Sequence, residues 1–138
     1  NPVLNEFYWS SKGNGAWLNN QRLRVSNRNK LESCLIGTTS IKKNPEALKK
    51  ITKFINEGAS IRSIGSAALD LAFVASGRFD AFWQTNLNLW DIASGVLLVL
   101  EAGGKVSQPN GEAWETNSTG IVASNSVLHE KIIEYIGF

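Results

Sequence analysis

The chain has 138 residues, 43% of them hydrophobic and 19% charged, with a formal net charge of +2. That composition suits one packed domain and argues against disorder. The basic residues are scattered in small groups at Arg22/Arg24, Lys42/Lys43 and Lys49/Lys50, a poor footprint for nucleic acid.

Glu6 to Trp9 alternates well enough for a strand, and Gly13-Asn14-Gly15 is a strong turn signal. Ala16 to Leu18 and Leu23 to Val25 then read as strands around Asn19-Asn20, because asparagine tolerates the left-handed turn conformation. This meander carries Phe7, Tyr8, Trp9 and Trp17. A ribbon so aromatic must pack on something. Ser33 to Thr39 is a short β-prone run. Asn44-Pro45 opens a helix that Gly58 ends, with Ala47, Leu48, Ile51, Phe54 and Ile55 on one face.

Ile61 to Ile64 is a short strand, and Gly65-Ser66 leads from it into a helix over Ala67 to Ala75 whose only charge is Asp70. Phe79 to Trp83 is another strand. Asp91 to Ala102 is a helix with almost no polar face, stopped by Gly103-Gly104. Two helices apolar nearly all round must be covered on both sides, which predicts a layer of helices between sheets. Lys105 to Ser107 and Gly120 to Ala123 are strands, separated by the turn at Pro109-Asn110-Gly111. Ser126 can cap a last amphipathic helix with Leu128, Ile132, Ile133 and Ile136 inward. Alternating strands and helices argue an α/β fold.

The longest apolar stretch, Val96 to Leu100 with its flanks, is too short to span a bilayer and ends at Glu101. No membrane partner is expected. The one cysteine, Cys34, reads as buried packing and fits a reducing, cytoplasmic setting. The one histidine, His129, reads as an exposed helix position. There is no CxxC pair, no HExxH, no P-loop and no GxGxxG.

Three places carry chemistry. Asp91 opens an apolar helix, so by pattern alone it reads first as an N-cap and second as a ligand for a hard cation. Gly65-Ser66-Ala67 is a strand-to-helix corner of small residues. Its backbone N–H groups can meet an anion or a hydroxyl, and close packing of the helix is the plainer reading. Gln84 and Asn86 fall in the loop before Asp91 and matter only if the corner and Asp91 face one cleft.

Leu89-Trp90-Asp91-Ile92-Ala93-Ser94-Gly95 followed by Glu101-Ala102-Gly103-Gly104 resembles the second signature of the inositol monophosphatase family. Arg62-Ser63-Ile64-Gly65-Ser66-Ala67-Ala68 resembles that family's substrate corner, and Gly13, Gly15, Ala16 and Asn20 resemble its N-terminal meander. The resemblance covers essentially the whole chain. It implies the layered mixed sheet-and-helix fold of the inositol monophosphatase and sugar phosphatase type.

The same resemblance implies Mg²⁺-dependent hydrolysis of a small-molecule phosphate monoester, inositol monophosphate first. Two or three Mg²⁺ ions would serve the intact enzyme, which would be a homodimer. It carries over metal ligation and a catalytic role to Asp91, and substrate contacts to Gly65, Ser66, Ala67, Gln84 and Asp91. Gln84 stands where many inositol-hydrolysing members have a glutamate. This leaves open a sibling phosphatase acting on a sugar or amino-alcohol phosphate. Some bacterial members also associate with the transcription machinery, so a protein-binding factor is the rival from another class.

The family's acidic first signature, Asp-Pro-x-Asp-Gly-Thr, has no counterpart here, and the chain contains no methionine. The expectation is therefore a C-terminal half. Residues 1–30 would be a β-meander belonging to an absent N-terminal domain, and 31–138 the C-terminal α/β domain. Such a half would be inactive alone, with its Mg²⁺ sites unfilled.

Overall fold

The structure, a computed structural model, describes residues 1–39 and 44–137; the Lys42/Lys43 pair lies outside them. Among the described residues, two sheets and four α-helices form the fold. The first sheet is a three-stranded antiparallel ribbon of β1 (Tyr8–Ser10), β2 (Ala16–Leu18) and β3 (Gln21–Arg22). Asn19 has φ 52°, so the Asn19-Asn20 pair makes a tight turn with Leu18 directly opposite Gln21. The third strand therefore starts at Gln21, and the strand expected at Leu23–Val25 does not form. There, Leu23 and Val25 instead give their N–H groups to the carbonyls of Ala16 and Ala102, 2.8 and 3.1 Å away.

After a single 3-10 turn (Leu31–Ser33), the chain builds β4 (Leu35–Gly37), α1 (Pro45–Asn56), β5 (Ser60–Arg62), α2 (Ala67–Ala75) and β6 (Ala81–Thr85). There follow α3 (Leu89–Glu101), β7 (Lys105–Ser107), β8 (Gly120–Ser124) and α4 (His129–Ile136). The strands form one mixed sheet in the order β5-β4-β6-β8-β7. Strand β4 is parallel to both β5 and β6, whereas β8 is antiparallel to β6 and β7. Helix α1 starts as its sequence dictates: the Asn44 side chain accepts the N–H groups of Glu46 and Ala47, and Pro45 occupies the first turn. Of its expected inner face, Ala47, Ile51 and Phe54 are buried while Leu48 and Ile55 are each 54% exposed. The apolar stripe is thus narrower than its spacing suggests.

Side chains alternate across β6. Ala81 and Trp83 join a core with α1 and α4, and Phe82 joins a second core with α2 and α3. The second core also holds Ala16 and Leu23, with Tyr8 and Leu18 packed against it. Helices α2 and α3 are therefore covered by the five-stranded sheet on one side and the ribbon on the other, which is why neither has a polar face. The two helices approach closely at Gly95, where an added Cβ would stand 2.5 Å from the Leu71 side chain.

Glu101 anchors the ribbon to α3. Its two carboxylate oxygens accept the N–H groups of Gly13 and Gly15 at 2.7 and 2.8 Å. Both glycines have positive φ, 80° and 83°, the conformation that turns their N–H groups the same way. These two bonds, Gly13 first, hold the Glu101 carboxyl below its ordinary pKa. Glu101→Gln leaves one oxygen to serve two donors. Hydrogen exchange at the Gly13 and Gly15 amides should accelerate, while exchange in α2 stays unchanged. Equal protection in both proteins would show that the turn holds itself.

A second anchor joins Glu6 to Arg78, 2.5 Å apart, with the Tyr8 hydroxyl donating to the same carboxylate at 3.0 Å. Trp9 and Trp17 sit directly opposite on the ribbon and stack with centroids 5.6 Å apart. Buried Asp80 joins the ribbon's exit to the sheet by accepting from Ser26 Oγ, Arg28 Nε and the Leu35 N–H at 2.5, 2.7 and 2.8 Å.

His129 is not exposed. Only 3% of it is accessible, and it bridges Ser124 Oγ and Ser107 Oγ at 2.7 and 3.0 Å. Ser126 does not cap α4. The N-cap is Leu128, with no side-chain cap; the Asn125 carboxamide accepts the Leu128 N–H at 2.9 Å in the turn before the helix, which places residue 129 against the sheet. Cys34 is buried, as expected, and burial pushes its thiol up to about 11.

Candidate functional site

The strand order places an opening at one end of the sheet. From β4 the chain passes through α1 to β5 on one side, then through α2 to β6 on the other side of β4. The two crossover helices lie on opposite faces, so the chain leaves the C-terminal ends of β4 and β6 toward different faces and an opening forms there. A cavity of about 490 Å³ lies there. Thr39 enters it just after β4, Gly65 to Ala68 just after β5, Gln84 and Asn86 at the end of β6, and Leu87, Trp90 and Asp91 around the start of α3.

Every residue singled out from the sequence as a site candidate therefore lines one cleft: Gly65, Ser66, Ala67, Gln84 and Asp91. Local structure differs from expectation at two of them. Asp91 is not the N-cap. Asn88 holds that place, and Asp91 is the third residue of α3, where its Oδ2 accepts the Asn88 N–H at 3.1 Å. The carboxylate still tightens the helix start, from inside the first turn. Gln84 lies on β6 and not in the loop, because the strand runs on to Thr85 by pairing with β8. Asn86, with φ 58°, makes the turn out of the strand.

At the other helix start, Gly65 has φ 87° and Ser66 is the N-cap of α2, its side chain accepting the Leu69 N–H at 3.4 Å. That bond uses an oxygen lone pair and leaves the hydroxyl proton for another acceptor. Thr39 and Trp90 were not picked out from the sequence. The Thr39 hydroxyl donates to Gln84 Oε1 across the β4–β6 gap, a contact visible only once the two strands are known to be neighbours. Trp90, 80% exposed, stands beside Asp91 at the cavity mouth; its place in the family signature was the only sequence signal for it.

Behind the cavity lies a second carboxyl. Asp70, one helical turn after Ala67, is fully buried, and neither of its oxygens has a hydrogen-bond partner among the described residues. Gly37 makes room for it: a Cβ there would stand 3.0 Å from Asp70 Oδ1. With no cation nearby among the described residues to oppose it, burial pushes the Asp70 carboxyl up to about 7.

A hard cation would find one suitable group. Asp91 Oδ1 has no protein partner among the described residues, so it can serve as one oxygen ligand of a Mg²⁺ ion. No group of three or more His, Cys, Asp or Glu side chains that could enclose an ion occurs among the described residues. The residues present thus fit part of a Mg²⁺ site. None of the described helices is long and apolar enough to cross a membrane.

A family model described as the inositol monophosphatase family matches residues 1–138. The inositol-1-monophosphatase of Caulobacter vibrioides is 40% identical over 140 residues, a match covering 97% of this chain and 55% of that protein. The Nus factor SuhB of Pseudomonas aeruginosa is 42% identical over 141 residues, covering 98% and 52%. The crystal structure of the extragenic suppressor protein suhB from Bartonella henselae superposes with a TM-score of 0.91 at 38% identity, covering 99% of this chain and 54% of that one. The chain spans about half the length of the curated relatives it matches.

Proposed function

The chain belongs to the inositol monophosphatase family, and on that premise we propose that the full-length protein is a Mg²⁺-dependent phosphomonoester hydrolase, with inositol monophosphate the first substrate to test. The observation that carries this reading is the convergence of Asp91, the Gly65-Ser66-Ala67 corner and Gln84 on one cavity at the switch point of the sheet. Bound Mg²⁺ supplies an activated water and charge neutralisation. Asp91 would hold the ion through one oxygen while the other keeps the start of α3 in place. The corner receives the alcohol part of the ester, its small side chains leaving room for a ring to approach the backbone. Gln84 meets the hydroxyls on the far side.

One carboxylate does not hold a catalytic Mg²⁺ cluster. The remaining ligands are proposed to come from a further N-terminal domain to which the ribbon, residues 1–30, also belongs, and residues 31–138 are the C-terminal domain. A cytoplasmic homodimer is the proposed setting. The test is an assay of the full-length gene product on inositol 1-phosphate, hexose phosphates and amino-alcohol phosphates, with and without a chelator. Chelator-sensitive turnover of inositol 1-phosphate is expected. Turnover best on another ester would move the protein to the sibling reading, and the absence of any chelator-sensitive turnover would overturn both.

The relative named Nus factor SuhB favours a second reading, a protein-binding factor of the transcription machinery. It predicts co-purification with RNA polymerase components that Asp91→Ala does not diminish.

A further inference from the structure

Strands β4 and β6 carry a further pair of buried polar atoms, on the face opposite α2. The register that pairs Ile36 with Ala81 and Gly37 with Phe82 brings Thr38 level with Trp83. The Thr38 N–H adds one more bond to the β4–β5 ladder, to the Arg62 carbonyl at 3.0 Å, so the ladder runs on through Thr38. Thr38 therefore shares a face with Ile36, the side of α1 and α4 on which Trp83 is packed. Thr38 is 0% exposed and Trp83 2%. Neither Thr38 Oγ1 nor Trp83 Nε1 has a hydrogen-bond partner among the described residues.

A hydroxyl and an indole N–H buried side by side without partners are both costly. The indole can only donate, and the hydroxyl can donate or accept. Neighbouring strands stand about 4.8 Å apart, a gap that one small molecule spans with bonds of about 2.9 Å to each side. A cation does not suit a donor-only indole, and the Lys50 ammonium already stands 6.0 Å from the centroid of this ring. A neutral group of that size that accepts from one neighbour and bonds the other is water.

We propose that Thr38 and Trp83 bind one internal water molecule, which cross-links β4 to β6 at the last step before the cavity. The next residues along the two strands, Thr39 and Gln84, line that cavity. The water site lies outside it, and the proposal stands whatever the protein hydrolyses.

Thr38→Val in the full-length protein tests this by its sign. Valine has the shape of threonine without the hydroxyl. Where the hydroxyl holds a water, the substitution should raise the unfolding constant in urea roughly fivefold, the size of one hydrogen bond. Where the hydroxyl is merely unpaired in a dry core, removing it leaves the constant unchanged or lowers it, which would overturn the proposal. In a Trp83→Phe background, which lacks the indole N–H, Thr38→Val should cost clearly less. An undiminished effect would show that Thr38 has a different partner and would also overturn it. Crystals of the full-length protein decide directly, even if Trp83→Phe fails to fold. One water oxygen within hydrogen-bond reach of both Thr38 Oγ1 and Trp83 Nε1 is expected. A side chain or an ion in that place, or direct contact between the two atoms, overturns the assignment.

Discussion

Asp91→Asn in the full-length protein is expected to lower Mg²⁺-dependent kcat/KM by roughly 10³-fold, the scale of several kcal/mol of lost transition-state charge stabilisation. The fold should barely notice. Asparagine keeps an oxygen where Oδ2 accepts the Asn88 N–H at 3.1 Å, so the start of α3 retains its bond and stability should change by less than about 1 kcal/mol. Asp91→Ala removes both roles. It should lose the same activity and a further ~1 kcal/mol of stability. The pair of variants separates the two jobs of one carboxylate. Turnover by Asp91→Asn within tenfold of the wild type would remove Asp91 from the metal's ligands.

The second large effect concerns Asp70. Its carboxyl, ordinarily at 3.8, is pushed to about 7 by burial. A raised carboxyl pKa means that the folded state holds a proton the unfolded state releases. This group's contribution is therefore most favourable below pH ~4 and is lost as pH rises through 7. About three units correspond to roughly 4 kcal/mol at pH 8. Leucine branches at the same carbon as the carboxylate and asks for no partner. Asp70→Leu should therefore stabilise the fold at pH 8 by a few kcal/mol and do little at pH 4.

His129 contributes with the opposite sign. Burial lowers its pKa from 6.5, so its contribution is lost as pH falls below that value. The difference between wild-type and variant urea-unfolding curves across pH isolates Asp70 from it. Asp70→Asn, which carries an unpaired amide at every pH, should flatten the slope even if leucine overfills the space. Parallel pH profiles for the wild type and both variants would show that Asp70 finds a partner in solution.

Much of the architecture was legible in short stretches. The corner at Gly65-Ser66 and the helix Ala67–Ala75 stand where their residues put them, because a small-residue turn, a serine cap and an uninterrupted apolar run all agree. The two fully apolar helices announced a layer covered on both faces, and the ribbon and main sheet supply those covers. Contacts set by distant pairing were not legible. Gln84 looks like a loop residue until β8 extends β6 past it. Thr39 is an unremarkable end of a run until β4 and β6 are neighbours. His129 lies in a polar stretch, and nothing local says that Ser107 and Ser124 wait on both sides of its ring. Asp70 was noticed only as the lone charge of its helix; its missing partners are a property of the assembled core.

The close approach at Gly95 has a consequence for motion. Helices α2 and α3 meet there with the Leu71 side chain filling the place a Gly95 Cβ would take. Two helices locked at that distance cannot slide or separate without opening a void. Ser66 and Asp91 stand at the starts of these two helices, so they travel as one rigid jaw. A ligand that enters the cavity then finds the spacing of Ser66 and Asp91 already set by the packing at Gly95.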